Sequence, residues 1–296
     1  MSDGMIQWFP GHMAKTRRQI TESLSKVDAV VEITDARIPV SSRNPELAGI
    51  VVHKPLILLL NKSDLADPSV TADWVRRLSG AGVTAAAVDC RSGKGIGNFS
   101  QTVRNVLREK IAYNRERGMT GKALRLMVVG IPNVGKSSFI NRLAGGNRAR
   151  VEDRPGVTRA NQWFPVAGGL ELLDTPGVLW PKFDDPEVGR RLAFTGAVKD
   201  TVFDIETLAV DFIRTVSKRY GALLEQRYRI SVDPAADPYD TLCAIGRKRG
   251  MVVRGGEIDT ERAAVMLMDE FRAGTIGKMT LDWPAFDSAD GGDANA

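Results

Sequence analysis

A parallel α/β sheet with helices on both faces, followed by a small all-α domain, is the architecture this sequence predicts. Two observations carry it: strand-like and helical patterns alternate through the first part of the chain, and helical spacing alone takes over afterwards. "DAVVEIT" (28–34), "PLILLLN" (55–61), "VTAAAVD" (83–89), "LRLMVVG" (124–130) and "GLELLDT" (169–175) are short apolar or β-branched runs, as buried strands are. Residues near 70–80, 97–115 and 136–145 read as helices between them, and such alternation builds a parallel sheet.

After "DTPGVLWPKFDDP" apolar residues recur every three or four positions over 187–197, 204–227, 238–249 and 260–273. In the last of these, Thr260 is the expected N-cap, with Glu261 in the first turn. The pattern predicts an α/β domain over 1–182 and a helical domain over 183–286. Residues 287–296, "DSADGGDANA", have no apolar anchor and predict a disordered acidic tail. No internal repeat is visible.

Length and composition set the bounds. The 296 residues suffice for one large domain or two modest ones, and 43% hydrophobic with 26% charged residues is ordinary globular usage. No apolar run nears the ~20 residues of a membrane span, and residues 1–20 show no secretory or transit pattern. Cys90 and Cys243 follow no metal or disulfide spacing. The expectation is a cytoplasmic protein away from membranes. The net charge is +5, and the last ten residues hold three aspartates and no base, so the preceding 286 carry +8. That suits a polyanion partner and equally suits a soluble basic enzyme.

Three motifs carry chemistry. "GIPNVGKSS" (130–138) fits G-x-x-x-x-G-K-[ST] between a strand and a helix. Backbone N–H groups of Asn133, Val134, Gly135, Lys136, Ser137 and Ser138 can wrap a β-phosphate. Lys136 supplies charge to the β- and γ-phosphates, and the Ser137 hydroxyl suits Mg²⁺. "LLDTPG" (172–177) puts Asp174 at a strand end to hold a Mg²⁺-bound water and Gly177 where its N–H meets a γ-phosphate. "LLLNKSD" (58–64) sets Asn61, Lys62, Ser63 and Asp64 after another strand. A carboxylate at Asp64 can accept from guanine N1–H and N2–H₂, which adenine cannot offer. Lys62 can lie along the base, and Asn61 can brace neighbouring loops. "DCRSGKG" (89–95), with Asp89 and Cys90, closes a further strand and could supply donors to guanine O6. Together these parts imply GTP hydrolysis. Their order, base-reading loop before phosphate loop, is that of a circularly permuted domain, which a parallel sheet tolerates.

The order, with "FPGHMAK" (9–15), "DARIP" (35–39), "RPGVT" (154–158) and "DTPGVLWPKF" (174–183), resembles the circularly permuted ribosome biogenesis GTPase A family of YlqF type over nearly the whole chain. The resemblance implies a circularly permuted P-loop GTPase domain. It also implies a role late in large-subunit assembly, binding to ribosomal RNA and stimulation of hydrolysis by that subunit. It makes Thr158 the switch threonine facing Mg²⁺ and Asn133 a candidate potassium ligand. Asp89-Cys90-Arg91 departs from the usual Ser-Ala type of base-contact loop.

Val178 follows "DTPG" where many GTPases have a glutamine that orients the attacking water. A valine cannot do that, so another group must. The chain has two histidines, His12 and His53. His53 lies in "VVHKP", an expected exposed loop, whereas His12 follows a Pro-Gly turn on a segment able to reach the switch regions. The resemblance also points to His12 as catalytic. Trp8 and Phe9 are expected to staple the segment to the sheet.

Basic residues cluster in "KTRRQ" (15–19), "RTVSKRY…QRYR" (214–229) and "GRKRG" (246–250), with Lys218, Arg219, Arg227, Arg229, Arg247, Lys248 and Arg249 in the helical domain. Tyr220 and Tyr228 among them could stack on bases or pack internally. The expectation is a monomeric GTPase bound to the large subunit and its rRNA, with no DNA partner. The alternatives are a GTP-gated RNA-binding module with incidental hydrolysis, and a GTPase acting on the small subunit or tRNA.

Overall fold

The computed structural model describes residues 18–80, 82–119, 121–146, 162–177, 179–180, 183, 185–198 and 203–284. Among the described residues six strands form one sheet: β1 (Ala29–Asp35), β2 (Leu56–Asn61), β3 (Val83–Ala87), β4 (Leu124–Val129), β5 (Gln162–Val166) and β6 (Leu170–Asp174). Their order across the sheet is β3-β2-β1-β4-β6-β5, parallel except for β5. The five expected strands are all present. The sixth, β5, is unmarked in the sequence because "QWFPV" contains Pro165 and alternates poorly; proline is tolerated there because β5 is an edge strand.

Both faces of the sheet are covered, which explains continuous apolar runs rather than alternation. Every residue of β1 is buried. Val30, with Met127 and Leu173 from β4 and β6, packs against Ile20, Leu47 and Val51. Ala29, Val31 and Ile33 face Phe99, Val103, Phe139 and Ile140 on the other side. The covering helices include α1 (Pro45–Val51), α2 (Pro68–Leu78), α3 (Phe99–Val106), α4 (Arg108–Glu116) and α5 (Lys136–Ala144). The expected helix over 97–115 is two, broken at Leu107, and α1 is short enough to escape a periodicity test.

Four helices follow: α6 (Pro186–Phe194), α7 (Ile205–Tyr228), α8 (Pro238–Lys248) and α9 (Thr260–Ala273). The cap of α9 is Asp259 rather than Thr260: its carboxylate accepts from Arg262 N, and Thr260 instead donates to Glu206. A carboxylate one residue earlier serves the first-turn N–H equally well. Within α7, Tyr220 leaves helical geometry (φ −124°, ψ 15°) and kinks the helix. The expected boundary at 182 and the acidic tail lie outside the described residues.

After α9 the chain returns to the sheet, a course no sequence pattern announces. Met279 N donates to Leu65 O (3.1 Å) and Leu281 N to Arg37 O (2.7 Å). The Asp282 carboxylate, buried, accepts from Val40 N and Ser41 N (2.7 Å each) and from the Ser41 hydroxyl, and pairs with Arg191 of α6 at 3.0 Å.

Arg37 is the pin between sheet and helices. Its side chain is 1% exposed and binds Asp35 through Nε (2.9 Å) and Nη2 (2.7 Å), while its guanidinium lies 5.1 Å from the Phe271 ring of α9. Burial alone would raise the Asp35 carboxyl; the charges of Arg37 and Lys62 and the Arg37 hydrogen bonds outweigh it and hold it well below the usual carboxylate range. A depressed carboxyl stabilises the fold above its unfolded value, about pH 4, and that contribution is lost as pH falls toward the folded value. Arg37→Met should therefore destabilise the protein by about 3–5 kcal/mol, since it takes both guanidinium bonds from a buried carboxylate and leaves Lys62 as its remaining charged partner. Urea unfolding at pH 7 measures this, and the deficit should shrink as pH is lowered below about 4, where protonated Asp35 needs no partner.

Candidate nucleotide site

The phosphate loop spans residues 130–135, between Val129 of β4 and Lys136 of α5. Gly135 is the N-cap of α5 with φ 99°, and no side chain caps the first turn. Helix N–H groups are thus left for an anion. A Cβ at Gly135 would sit 2.3 Å from Asn61 Nδ2. From the opposite side a Cβ at Gly177 would sit 2.9 Å from both Lys136 Nζ and Pro132 N, so only glycine allows this approach of the DTPG turn.

The Lys136 ammonium folds onto the carbonyls of Gly130 (3.1 Å) and Ile131 (2.8 Å). Burial pushes its pKa down to about 8, against the pull of the Asp174 charge. Asp174 ends β6 and is buried. Ser137 and Ser138 occupy the first turn of α5. The Ser137 hydroxyl and the Asp174 carboxylate are hard oxygens of the kind Mg²⁺ takes together with substrate phosphates.

Asn61 joins this cradle to the other loops. Its Nδ2 donates to Val134 O (2.7 Å), and its Oδ1 accepts from Cys90 N (2.9 Å). Loops after β2, β3 and β4 are therefore held by one buried amide that passes over the end of β1, where Asp35 pairs in register with Asn61. Lys62 adopts φ 60° and places Nζ 3.1 Å from Asp35. Ser63 N donates to Val88 O (3.1 Å), and Leu65 N closes a turn onto Lys62 O (2.9 Å) around the half-buried Asp64.

In the 89–95 loop Asp89 accepts from Arg91 N (2.8 Å) and so shapes its own turn. Burial, with Asp89 beside it, pushes the Cys90 thiol up to about 12, so it stays neutral. The Cys90 carbonyl accepts from Arg142 Nε of α5 (3.2 Å), and Arg142 also bonds the Arg91 carbonyl. Sequence reasoning missed Arg142. It used Asp35 and Arg37 only as family markers, although an acid ending an apolar strand was the signal that singled out Asp174.

Asn133 Nδ2 donates to the Gly196 carbonyl just after α6 (2.7 Å). His12, Thr158 and Val178 lie outside the described residues; His53 is exposed after α1, as expected. Tyr220 and Tyr228 are buried and pack rather than offer faces to bases. Arg227 holds both oxygens of Glu270 (2.8 and 2.5 Å), the Tyr228 hydroxyl donates to the same carboxylate, and Arg249 stacks on the Tyr228 ring at 5.3 Å. Arg219 stacks on Trp283 at 4.8 Å. Lys218, Arg229, Arg247 and Lys248 are exposed.

Asn61→Ala would leave Cys90 N–H and Val134 C=O without their partner, a cost of roughly 1–3 kcal/mol for each buried group. GDP affinity measured by calorimetry should fall about 10- to 100-fold, at 1.4 kcal/mol per decade. Unchanged affinity would remove Asn61 from the site.

A family profile described as 50S ribosome-binding GTPase matches residues 125–231. Ribosome biogenesis GTPase A of Priestia megaterium is 48% identical over 281 residues, which cover 95% of this chain and 97% of that protein. The Bacillus cereus protein of the same name is 44% identical over 280 residues, covering 95% and 94%. Among solved structures, GDP-bound YlqF matches with a TM-score of 0.66 at 25% identity, over 90% of this chain and 99% of that one. With a phosphate loop, an N-K-S-D loop and a DTPG turn in permuted order on one sheet edge, this chain belongs to the ribosome biogenesis GTPase A family of GTP-hydrolysing enzymes.

Proposed function

We propose that the protein is a cytoplasmic, monomeric GTPase that binds immature large ribosomal subunits through their rRNA, acts late in their assembly and leaves after hydrolysis. The observation that carries the nucleotide half is the Asn61 amide, which joins the base-reading and phosphate loops. The ribosomal half rests on the family and on the cations exposed on the helices.

Asp64 reads guanine, with Lys62 along the base and the backbone at Asp89 and Cys90 near O6. The N–H groups of 133–138 and Lys136 cradle the phosphates and take up charge that develops during attack of water on the γ-phosphate. Ser137, Asp174 and Thr158 would hold Mg²⁺, which supplies positive charge to the phosphate oxygens when bound. Asn133 offers its amide oxygen to potassium, since its nitrogen is engaged with Gly196. Gly177 donates its N–H to the γ-phosphate. His12 orients the water that Val178 cannot. Beyond Gly177, Leu179 and Trp180 are buried in the same apolar cluster as Leu192 and Phe194 of α6, and Trp180 meets Phe183 edge-on at 5.0 Å. A segment that responds to the γ-phosphate would thus act directly on the helices.

The second reading, a GTP-gated RNA-binding module with incidental hydrolysis, has Val178 in its favour. Turnover measured with purified large subunits, with small subunits as control, separates the two. Stimulation by large subunits alone is expected, and His12→Ala should lower that stimulated kcat by ~10²-fold with little change in GTP affinity. Stimulation by neither subunit would favour the gated module. For RNA contact, Arg247→Ala/Lys248→Ala should weaken binding and reduce the slope of log K against log salt by about two, one per lost phosphate contact.

A further inference from the structure

The base-reading loop is anchored at both ends, and its far end is held by the helices. Asp67, three residues beyond Asp64, caps α2 with Oδ1, which accepts from Ser69 N (2.9 Å) and Val70 N (3.4 Å). Its other oxygen, Oδ2, accepts from the Tyr220 hydroxyl of α7 at 3.2 Å. Asp67 N donates to Thr280 Oγ1 (3.1 Å), and Leu65 O accepts from Met279 N (3.1 Å). The Tyr220 hydroxyl accepts from Thr280 N (3.2 Å) and lies 3.3 Å from Thr280 O, so its single proton serves Asp67 or that carbonyl. The kink of α7 occurs at Tyr220 itself. Thr280 is wholly buried and Tyr220 only 9% exposed, so the bonds between them form away from competing water, while those to Asp67 are half-buried. The Leu65 side chain lies so close to Gly274 that a Cβ there would sit 2.5 Å from it.

We infer that Tyr220 and Thr280 are positioning residues for guanine recognition: they fix Asp67, beside the Met279 N–H that holds Leu65, and thereby hold Asp64 where its carboxylate meets the N1–H and 2-amino group of guanine. The inference rests on the reading of Asn61–Asp64 as the base loop. It gives the helices a second link to the nucleotide, at the base and independent of the γ-phosphate. A partner that shifts α7 would alter nucleotide affinity, and nucleotide would alter partner affinity by the same factor.

The test compares GDP with inosine diphosphate, which lacks the 2-amino group, by calorimetry on the full chain. The wild type should prefer GDP, and Asp64→Ala should abolish that preference. Tyr220→Phe, which removes one oxygen, and Thr280→Val, close to isosteric, should each lower the GDP-to-IDP affinity ratio about threefold or more, the scale of one lost hydrogen bond. A loss of stability alone would not change a ratio measured on folded protein. If Asp64→Ala abolishes the preference while Tyr220→Phe keeps the wild-type ratio, the positioning role is overturned and the base loop stands. If Asp64→Ala keeps the wild-type ratio, the base-loop reading fails and this inference with it. Should Thr280→Val not fold, Tyr220→Phe decides alone.

Discussion

Loops from β2, β3 and β4 meet at the Asn61 amide, and the nucleotide site depends on their staying together. Circular permutation makes this acute. The N-K-S-D and phosphate loops are far apart in sequence, and β1 lies between their parent strands. A parallel sheet brings the carboxyl ends of its strands to one edge, where ligands gather, but it does not fix the loops against each other. A single side chain that donates to one loop and accepts from another does so at little entropic cost, because Asn61 is itself a strand residue and buried. The missing Cβ at Gly135 is what lets that amide pass.

A second constraint lies under the first. Asp35 ends β1 beneath the Lys62 ammonium, and Arg37 closes on it. A buried ion pair contributes little net stability by comparison with apolar packing. Its value here is geometric. The Arg37 guanidinium lies over Phe271 of α9, and the Arg37 carbonyl receives Leu281 of the returning chain. Asn133 reaching Gly196 and Asp282 holding residues 40 and 41 add further ties. Sheet and helices are therefore joined at several points around the nucleotide site, and a change at one loop has short polar routes into α6, α7 and α9.

Much of this was legible in the sequence, for identifiable reasons. Strands buried on both faces announce themselves as unbroken apolar runs, and the phosphate, DTPG and N-K-S-D loops announce themselves by residue types at fixed spacing. The edge strand β5 was hidden because Pro165 and exposed positions break its pattern. The polar ties were hidden for a different reason. Asp282, Thr280 and Tyr220 are ordinary residue types whose partners lie 60 or more positions away, and nothing local distinguishes them. The two tyrosines show the same limit: interleaved with arginines they suit base stacking, yet their hydroxyls and rings are used inside the fold. Arg227 likewise serves Glu270.

The central claim is that the nucleotide site and the helices respond as one unit. Hydrogen exchange of the full chain, bound to GDP or to a non-hydrolysable GTP analogue, tests it most directly. The account predicts that amides of α6 exchange at different rates in the two states, because the segment after Gly177 and the Asn133 contact both bear on α6. Identical protection of the helices in both states would contradict it and leave a GTPase domain with passive helices attached.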